Sequence, residues 1–146
     1  MINIHARVKH LVEKYETRNP ERLAEELGII IIRRPFKRTM GFFRKELRRK
    51  FIVVNSNLNE NTQMVVIAHE LGHALLHSSS ATTYIHEYTL FPRGKIEIEA
   101  NKFAAELLIN EKDIDKHYLE NMCINQLAKY FEVPEELVRF KFGKYN

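Results

Sequence analysis

The sequence predicts an α+β fold, a small antiparallel or mixed sheet packed with helices and followed by a helical C-terminal segment. Helical patterns open the chain, short strand patterns follow, and helical patterns close it, without the regular alternation of an α/β sheet. Within residues 5–16, Val8, Leu11, Val12 and Tyr15 recur at helical spacing. A second helix is punctuated by Asn19 as N-cap, Pro20 in the first turn, and Gly28 as its stop. The isoleucine run 29–32 is short and β-branched, and reads as a buried strand. Residues 39–45 and 50–55 read as the two strands of a basic hairpin. A long helix, capped by Asn59 or Asn61, runs from there to about His77. Residues 78–94 are expected to be a polar loop, 96–109 a returning helix, and 112–119, 124–131 and 135–142 short helices.

Composition narrows the class. The chain has 146 residues, 45% hydrophobic and 29% charged, enough apolar content for a real core in one domain. That domain is expected to span 1–146: helices and a first strand over 1–32, a catalytic core over 33–110, and the helical segment over 111–146. No apolar run nears the roughly 20 residues that cross a bilayer, and the first residues lack the charged-then-apolar order of a signal peptide. Cys123 is the sole cysteine, so an internal disulfide is excluded and a metal site must use histidines and carboxylates. These features favour the cytoplasm. The net charge of +4 is concentrated in residues 33–50, which carry Arg33, Arg34, Lys37, Arg38, Arg44, Lys45, Arg48, Arg49 and Lys50 against Glu46 alone. Such a run suits nucleic acid or an acidic partner, or else a solvated hairpin whose edge is protected by charge.

The decisive stretch is His69-Glu70-Leu71-Gly72-His73. Residues four apart share a helix face, so both imidazoles can reach one ion. Glu70 lies about 100° round the helix from His69, beside such an ion rather than on it. That is the arrangement of a metallopeptidase, with the glutamate as general base. Chance alone yields the pattern in about 4% of chains of this composition, so the motif needs context. Val65, Val66, Ala68, Leu71, Leu75 and Leu76 supply it: the helix is apolar nearly all round and therefore buried. Two histidines and a carboxylate on a buried helix need partners.

His77 does not fit as a third ligand, because eight residues place it about 12 Å along the axis from His69. It is expected instead at the helix end, or bonded to a ligand imidazole. A metzincin-type extension would need glycine and histidine where Leu76 and Ser79 stand. The returning helix offers Glu97 and Glu99, about 200° apart, so only one can face the metal. Glu97 shares its face with Ala100, Asn101, Ala104 and Leu108, small or apolar residues suited to packing on the motif helix. Glu99 shares a more charged, partly exposed face with Lys102 and Glu106. Glu97 is therefore the expected ligand, and Asn101 a hydrogen-bond partner for a ligand imidazole. Tyr84, His86 and Tyr88 are candidates for donating a hydrogen bond to a tetrahedral oxyanion.

These residues carry a family resemblance. The stretch His69 to His77, followed by Glu97-Ile98-Glu99-Ala100-Asn101-Lys102-Phe103-Ala104-Ala105-Glu106-Leu107-Leu108 and preceded by Phe51-Ile52-Val53-Val54-Asn55, resembles the ImmA/IrrE metallopeptidases. The resemblance is specific over about residues 50–110 and looser outside. It implies a zincin-like, gluzincin-type fold, one Zn2+ per chain on His69, His73 and Glu97, and Glu70 as base. It further implies a bacterial cytoplasmic endopeptidase, often encoded by prophages or conjugative elements, that cuts a helix-turn-helix repressor and so derepresses genes. Asn110 departs from the proline usual after the returning helix, which touches the helix end and not the chemistry.

Two other readings compete. Residues 124–138 look like a helix-turn-helix pair, which would make the chain a DNA-binding regulator with a zinc site. Glu132, Glu135 and Glu136 would however meet phosphates at the start of the second helix, which argues against direct DNA binding. A non-catalytic antirepressor would keep zinc for structure, but a structural site normally has four protein ligands and only three are identified. The strand 51–55 would either pair with an extended substrate by strand addition or lie inside the sheet.

Overall fold

A computed structural model describes residues 2–77, 82–86 and 94–143, of which 82–86 are described in backbone only. Two helices open the chain. In α1 (Ile4–Tyr15), Asn3 Oδ1 accepts the Ala6 amide at 3.0 Å, and Ile4 and Val8 face inward. In α2 (Pro20–Glu26), Asn19 Oδ1 accepts the Arg22 amide at 3.1 Å, and Gly28 beyond the helix takes φ 75°. Proline in the first turn and a left-handed glycine just past the end give this helix its limits.

The sheet is mixed and four-stranded, with order β1-β3-β2-β4. Strand β1 (Ile30–Arg34) runs parallel to β3 (Arg49–Asn55), and β2 (Thr39–Glu46) pairs antiparallel with both β3 and β4 (Thr82–His86). Period-two alternation sends Phe43, Ile52 and Val54, all fully buried, to one face. Helix α3 (Glu60–Leu76) lies on that face, opened by Asn59 Oδ1 accepting the Thr62 amide at 2.8 Å. On the far side of α3 packs α4 (Lys95–Leu108), through Ala100, Phe103, Ala104 and Leu107. Helix α3 is thus enclosed between sheet and helix, and buried from Val65 to Ala74. The α+β order holds.

Four expectations change. The isoleucine run forms β1, but as an edge strand with Ile30 42% exposed. Its parallel pairing reaches only β3, so its outer side has no neighbour among the described strands. The stretch 78–94, expected as loop, contains β4. Thr82, Thr83, Tyr84 and Ile85 are β-branched or aromatic, which suits a pleated strand better than their polarity suggested. The helix expected over 112–119 begins later, as α5 (Lys116–Asn121) after a 3₁₀ turn Glu111–Asp113. Two side chains account for it: Asn110 Oδ1 accepts the Lys112 amide at 3.2 Å and Asp115 Oδ1 the His117 amide at 2.8 Å, each starting a separate element. Strand addition on 51–55 is excluded, because β3 is paired on both sides.

The basic run occupies β1, the hairpin β2–β3 and their links, and is mostly exposed. Arg33 is the structural exception: its guanidinium grips Glu21 at 2.6 and 2.8 Å and donates from Nε to Gln63 Oε1 at 3.0 Å, joining α2, β1 and α3. The Arg33 guanidinium also holds the Glu21 carboxyl below its usual range. At the C-terminus, α6 (Ile124–Phe131) and α7 (Glu135–Phe142) pack together, and α7 rests on α4 through buried Leu137 and Val138. No helix among the described residues is long and apolar enough to cross a membrane.

The seat of α3 on the sheet depends on Gly41, where an added Cβ would lie 2.5 Å from Val66 Cγ1 and 2.8 Å from the Val53 carbonyl oxygen. One of those neighbours is backbone and cannot swing aside. Gly41→Ala is therefore expected to destabilise the protein by about 1–3 kcal/mol, the usual cost of overpacking. Chemical denaturation checks it, and an unchanged midpoint would mean the seat of α3 is looser than the contacts imply.

Candidate metal centre

One turn of α3 separates His69 from His73, and both side chains are fully buried at the junction with α4. Their Nε2 atoms face each other at 3.1 Å. Glu97, in the first turn of α4, closes the triangle: its Oε2 lies 2.8 Å from His69 Nε2 and its Oε1 3.1 Å from His73 Nε2. Among the described residues, this is the one cluster of three such groups able to hold a metal ion.

The far nitrogens are also occupied. His69 Nδ1 is 2.7 Å from Asn101 Oδ1, and His73 Nδ1 is 3.1 Å from His77 Nδ1. Because an amide oxygen only accepts, His69 carries a proton on Nδ1, the arrangement in which its Nε2 would be the nitrogen offered to a cation. His77 follows α3 as its C-cap, with its backbone amide on the His73 carbonyl at 2.8 Å. Its side chain stays out of the triangle and meets Glu99 Oε1 at 3.1 Å. Exposure does not separate the two glutamates: the Glu99 side chain is 18% exposed and that of Glu97 21%. The start of α4 lies against the end of α3, so Glu97 reaches His69 and His73 while Glu99 reaches His77 just past the helix. The Glu99–His77 pair was missed, although the spacing 69, 73, 77 along one helix face pointed to a third histidine in line.

Charge follows this geometry. Burial pushes the Glu97 carboxyl up, yet hydrogen bonds from His69 and His73 outweigh it and hold the group at about 2. Burial lowers the His73 imidazole, against the pull of Glu97, so its neutral form is favoured. Glu70 is the anomaly. It is fully buried, and neither carboxylate oxygen has a hydrogen-bond partner. Burial and then the nearby Glu97 charge raise its pKa well above the usual range, and the Phe43 backbone amide, near enough to oppose this in part, does not reach hydrogen-bond geometry with either oxygen.

Two imidazole nitrogens and a carboxylate form a donor set suited to zinc. Ligand atoms about 2.0–2.1 Å from a tetrahedral ion sit about 3.3 Å apart, and Glu97 Oε2 and the two Nε2 atoms are separated by 2.8, 3.2 and 3.1 Å. The residues fit a small cation, and the unpartnered Glu70 carboxylate beside them marks the same spot as wanting positive charge or a proton donor. Tyr84 and His86 fall on β4, at the sheet edge next to β2, and nothing is described of their side chains; Tyr88 lies outside the described residues.

The raised Glu70 pKa has a consequence for the metal-free protein. A carboxyl whose folded pKa exceeds its unfolded value contributes stability below the unfolded value, and this is lost as pH rises through the folded one. Metal-free Glu70→Gln should therefore be more stable than metal-free wild type at neutral pH, with the gap closing as pH falls toward 4.5. Denaturation midpoints of both proteins across that range, in chelator, test this; a gap independent of pH would contradict it.

Comparison with known proteins agrees with the geometry. The family model described as the IrrE N-terminal-like domain, a peptidase family, matches residues 24–142. The chain is 40% identical over 141 residues to uncharacterized immunity region protein 2 of Bacillus phage phi105, covering 94% of this chain and 88% of that protein. It is 26% identical over 143 residues to the metallopeptidase ImmA of Bacillus subtilis strain 168, covering 97% of this chain and 85% of that protein. The matched residues include the whole triangle, Glu70 and both crossing helices, and the chain belongs to the IrrE N-terminal-like family of peptidases.

Proposed function

We propose that the protein is a zinc-dependent, site-specific endopeptidase acting in the cytoplasm on a helix-turn-helix repressor of a prophage or mobile element. The observation that carries the chemistry is the convergence of His69, His73 and Glu97 beside a buried, unpartnered Glu70. His69, His73 and Glu97 are the ligands of one zinc per chain, and the three-ligand set leaves a position open, as catalytic sites do. A zinc ion held there would supply Lewis acidity toward a scissile carbonyl and acidify a water. Glu70 takes a proton from the attacking water and passes it to the departing amine. Asn101 and His77 hold the two ligand imidazoles by their far nitrogens.

The substrate assignment rests on different support. One relative is named for a phage immunity region and another as a metallopeptidase, and a repressor is the regulatory protein such a region would need to inactivate. Selectivity fits an enzyme that works among its host's own proteins.

Freshly purified protein should hold about one zinc per chain, and His69→Ala, His73→Ala or Glu97→Ala should lose it, Glu97→Ala far more completely than Glu99→Ala. Metal analysis of protein never exposed to chelator checks this, and an absence of metal would remove the enzyme reading.

Glu70→Gln keeps every ligand and the shape of the base but cannot take the proton. It is expected to bind zinc and substrate normally and to cut at least about 100-fold more slowly, the low end of general acid–base contributions. Single-turnover cleavage of a candidate helix-turn-helix repressor, with zinc measured on both proteins, is the test. Equal rates would strip Glu70 of its role. Inactivation of the repressor without a cut peptide bond would favour a non-catalytic antirepressor.

A further inference from the structure

The two ligand imidazoles are backed in different ways. Behind His69 stands the neutral amide of Asn101. Behind His73 stands a second imidazole, and behind that a carboxylate: His73 Nδ1 to His77 Nδ1 at 3.1 Å, then His77 Nε2 to Glu99 Oε1 at 3.1 Å. The proton positions along this line are forced from its two ends. If His73 Nε2 offers its lone pair to a cation, its proton must sit on Nδ1 and be donated to His77 Nδ1. His77 then has only Nε2 left for its own proton, and Glu99, as a carboxylate, only accepts. With the His73 Nε2 lone pair on a cation and Glu99 ionised, every donor along the line meets an acceptor.

From this geometry we infer that His77 and Glu99 are positioning residues for the metal centre: a carboxylate–imidazole chain that fixes the tautomer and ring orientation of His73. The inference rests on the zinc-site reading above and deepens it, adding Glu99 and the order of the protons to the His77 contact already named. The chain ends on a full charge, which draws the bridging protons away from His73 and makes its Nε2 a better donor. It also ties the residue that caps α3 to α4 at a point two residues beyond Glu97. One link therefore aims His73 and sets the approach of the third ligand.

A purely structural role for His77 is separable. Its helix-capping bond to the His73 carbonyl comes from the backbone amide and survives any ordinary side-chain substitution. The variants are His77→Ala, which removes the relay, and Glu99→Gln, which keeps an accepting oxygen but removes the charge. Three measurements are made on each: zinc affinity by competition with a chromophoric chelator, the visible spectrum of the cobalt(II)-substituted protein, and the denaturation midpoint without metal. His77→Ala is expected to bind zinc about 10–100-fold more weakly, with Glu99→Gln between it and wild type. In His77→Ala the cobalt bands should shift as the His73 ring loosens. If His77→Ala does not fold, Glu99→Gln, which leaves size and shape unchanged, carries the test. Wild-type affinity and an unshifted spectrum in the variants that fold would overturn the inference while leaving the zinc site intact. So would an affinity loss no greater than the loss of stability without metal. A wild-type protein that binds neither zinc nor cobalt would overturn the zinc site itself, and the inference with it.

Discussion

At Gly72, in the middle of the metal motif, α3 and α4 touch backbone to backbone. A Cβ there would lie 3.1 Å from Phe103 Cβ and 3.2 Å from both the Cα and the carbonyl oxygen of Ala100. Each is tighter than ordinary contact, and two of the three are main chain, which cannot rotate away. Glycine on one helix and alanine on the other let the axes approach closely, and that approach brings a carboxylate from α4 within 3.1 Å of imidazoles on α3. A bulkier pair would move α4 outward and take Glu97 with it. The residues that look least chemical in the motif thus set the distance on which its chemistry depends.

Close packing has a price in solvation. His69, Glu70, His73 and Asn101 are all fully buried, where an unpaired polar group costs far more than in water. The structure meets that cost almost everywhere: amide behind one imidazole, imidazole and carboxylate behind the other, carboxylate between the two. Glu70 alone has no partner. An isolated buried carboxylate in an otherwise satisfied network is a reservoir of unfavourable energy, and sites of this kind are where functional demand overrides stability. The same burial that destabilises its charged form raises its affinity for a proton.

Much of this was legible in the sequence, for identifiable reasons. A four-residue repeat of histidine on an apolar helix survives translation into three dimensions because helix geometry is local. The caps at Asn19 and Asn59 are likewise decided within three residues. Placing Glu97 required only the assumption that small residues mark the packed side of α4. The failures are all cases where a distant partner decides. Whether isoleucines 29–32 lie inside the sheet or at its edge depends on strand order, which no local pattern encodes. Strand β4 was hidden because threonines read as polar loop until β2 supplies them with a ladder. Glu99 reads as part of a charged, partly exposed face, and its partner is invisible there because the histidine it meets lies 22 residues earlier.

The C-terminal helices show how a suggestive pattern is absorbed by packing. Their sequence suits a helix-turn-helix pair, yet the cations of α7 are engaged within the domain: Arg139 pairs with Glu136 at 2.6 Å, and Lys141 reaches Glu106 on α4 at 2.8 Å. Glu106 also takes a hydrogen bond from His5 on α1, and Arg18 donates to the Glu106 and Leu107 carbonyls. Beneath these contacts, Leu137 and Val138 are buried at the junction with α4. Helix α4 is therefore held by α3 on one side and braced by α1 and α7 along the rest of its length. The proposed metal site asks that Glu97 be held to within about 0.5 Å, and a ligand supplied by a second element is only as well placed as the element itself. On this view the C-terminal segment serves the same end as Gly72: both hold α4 where its first turn completes the triangle.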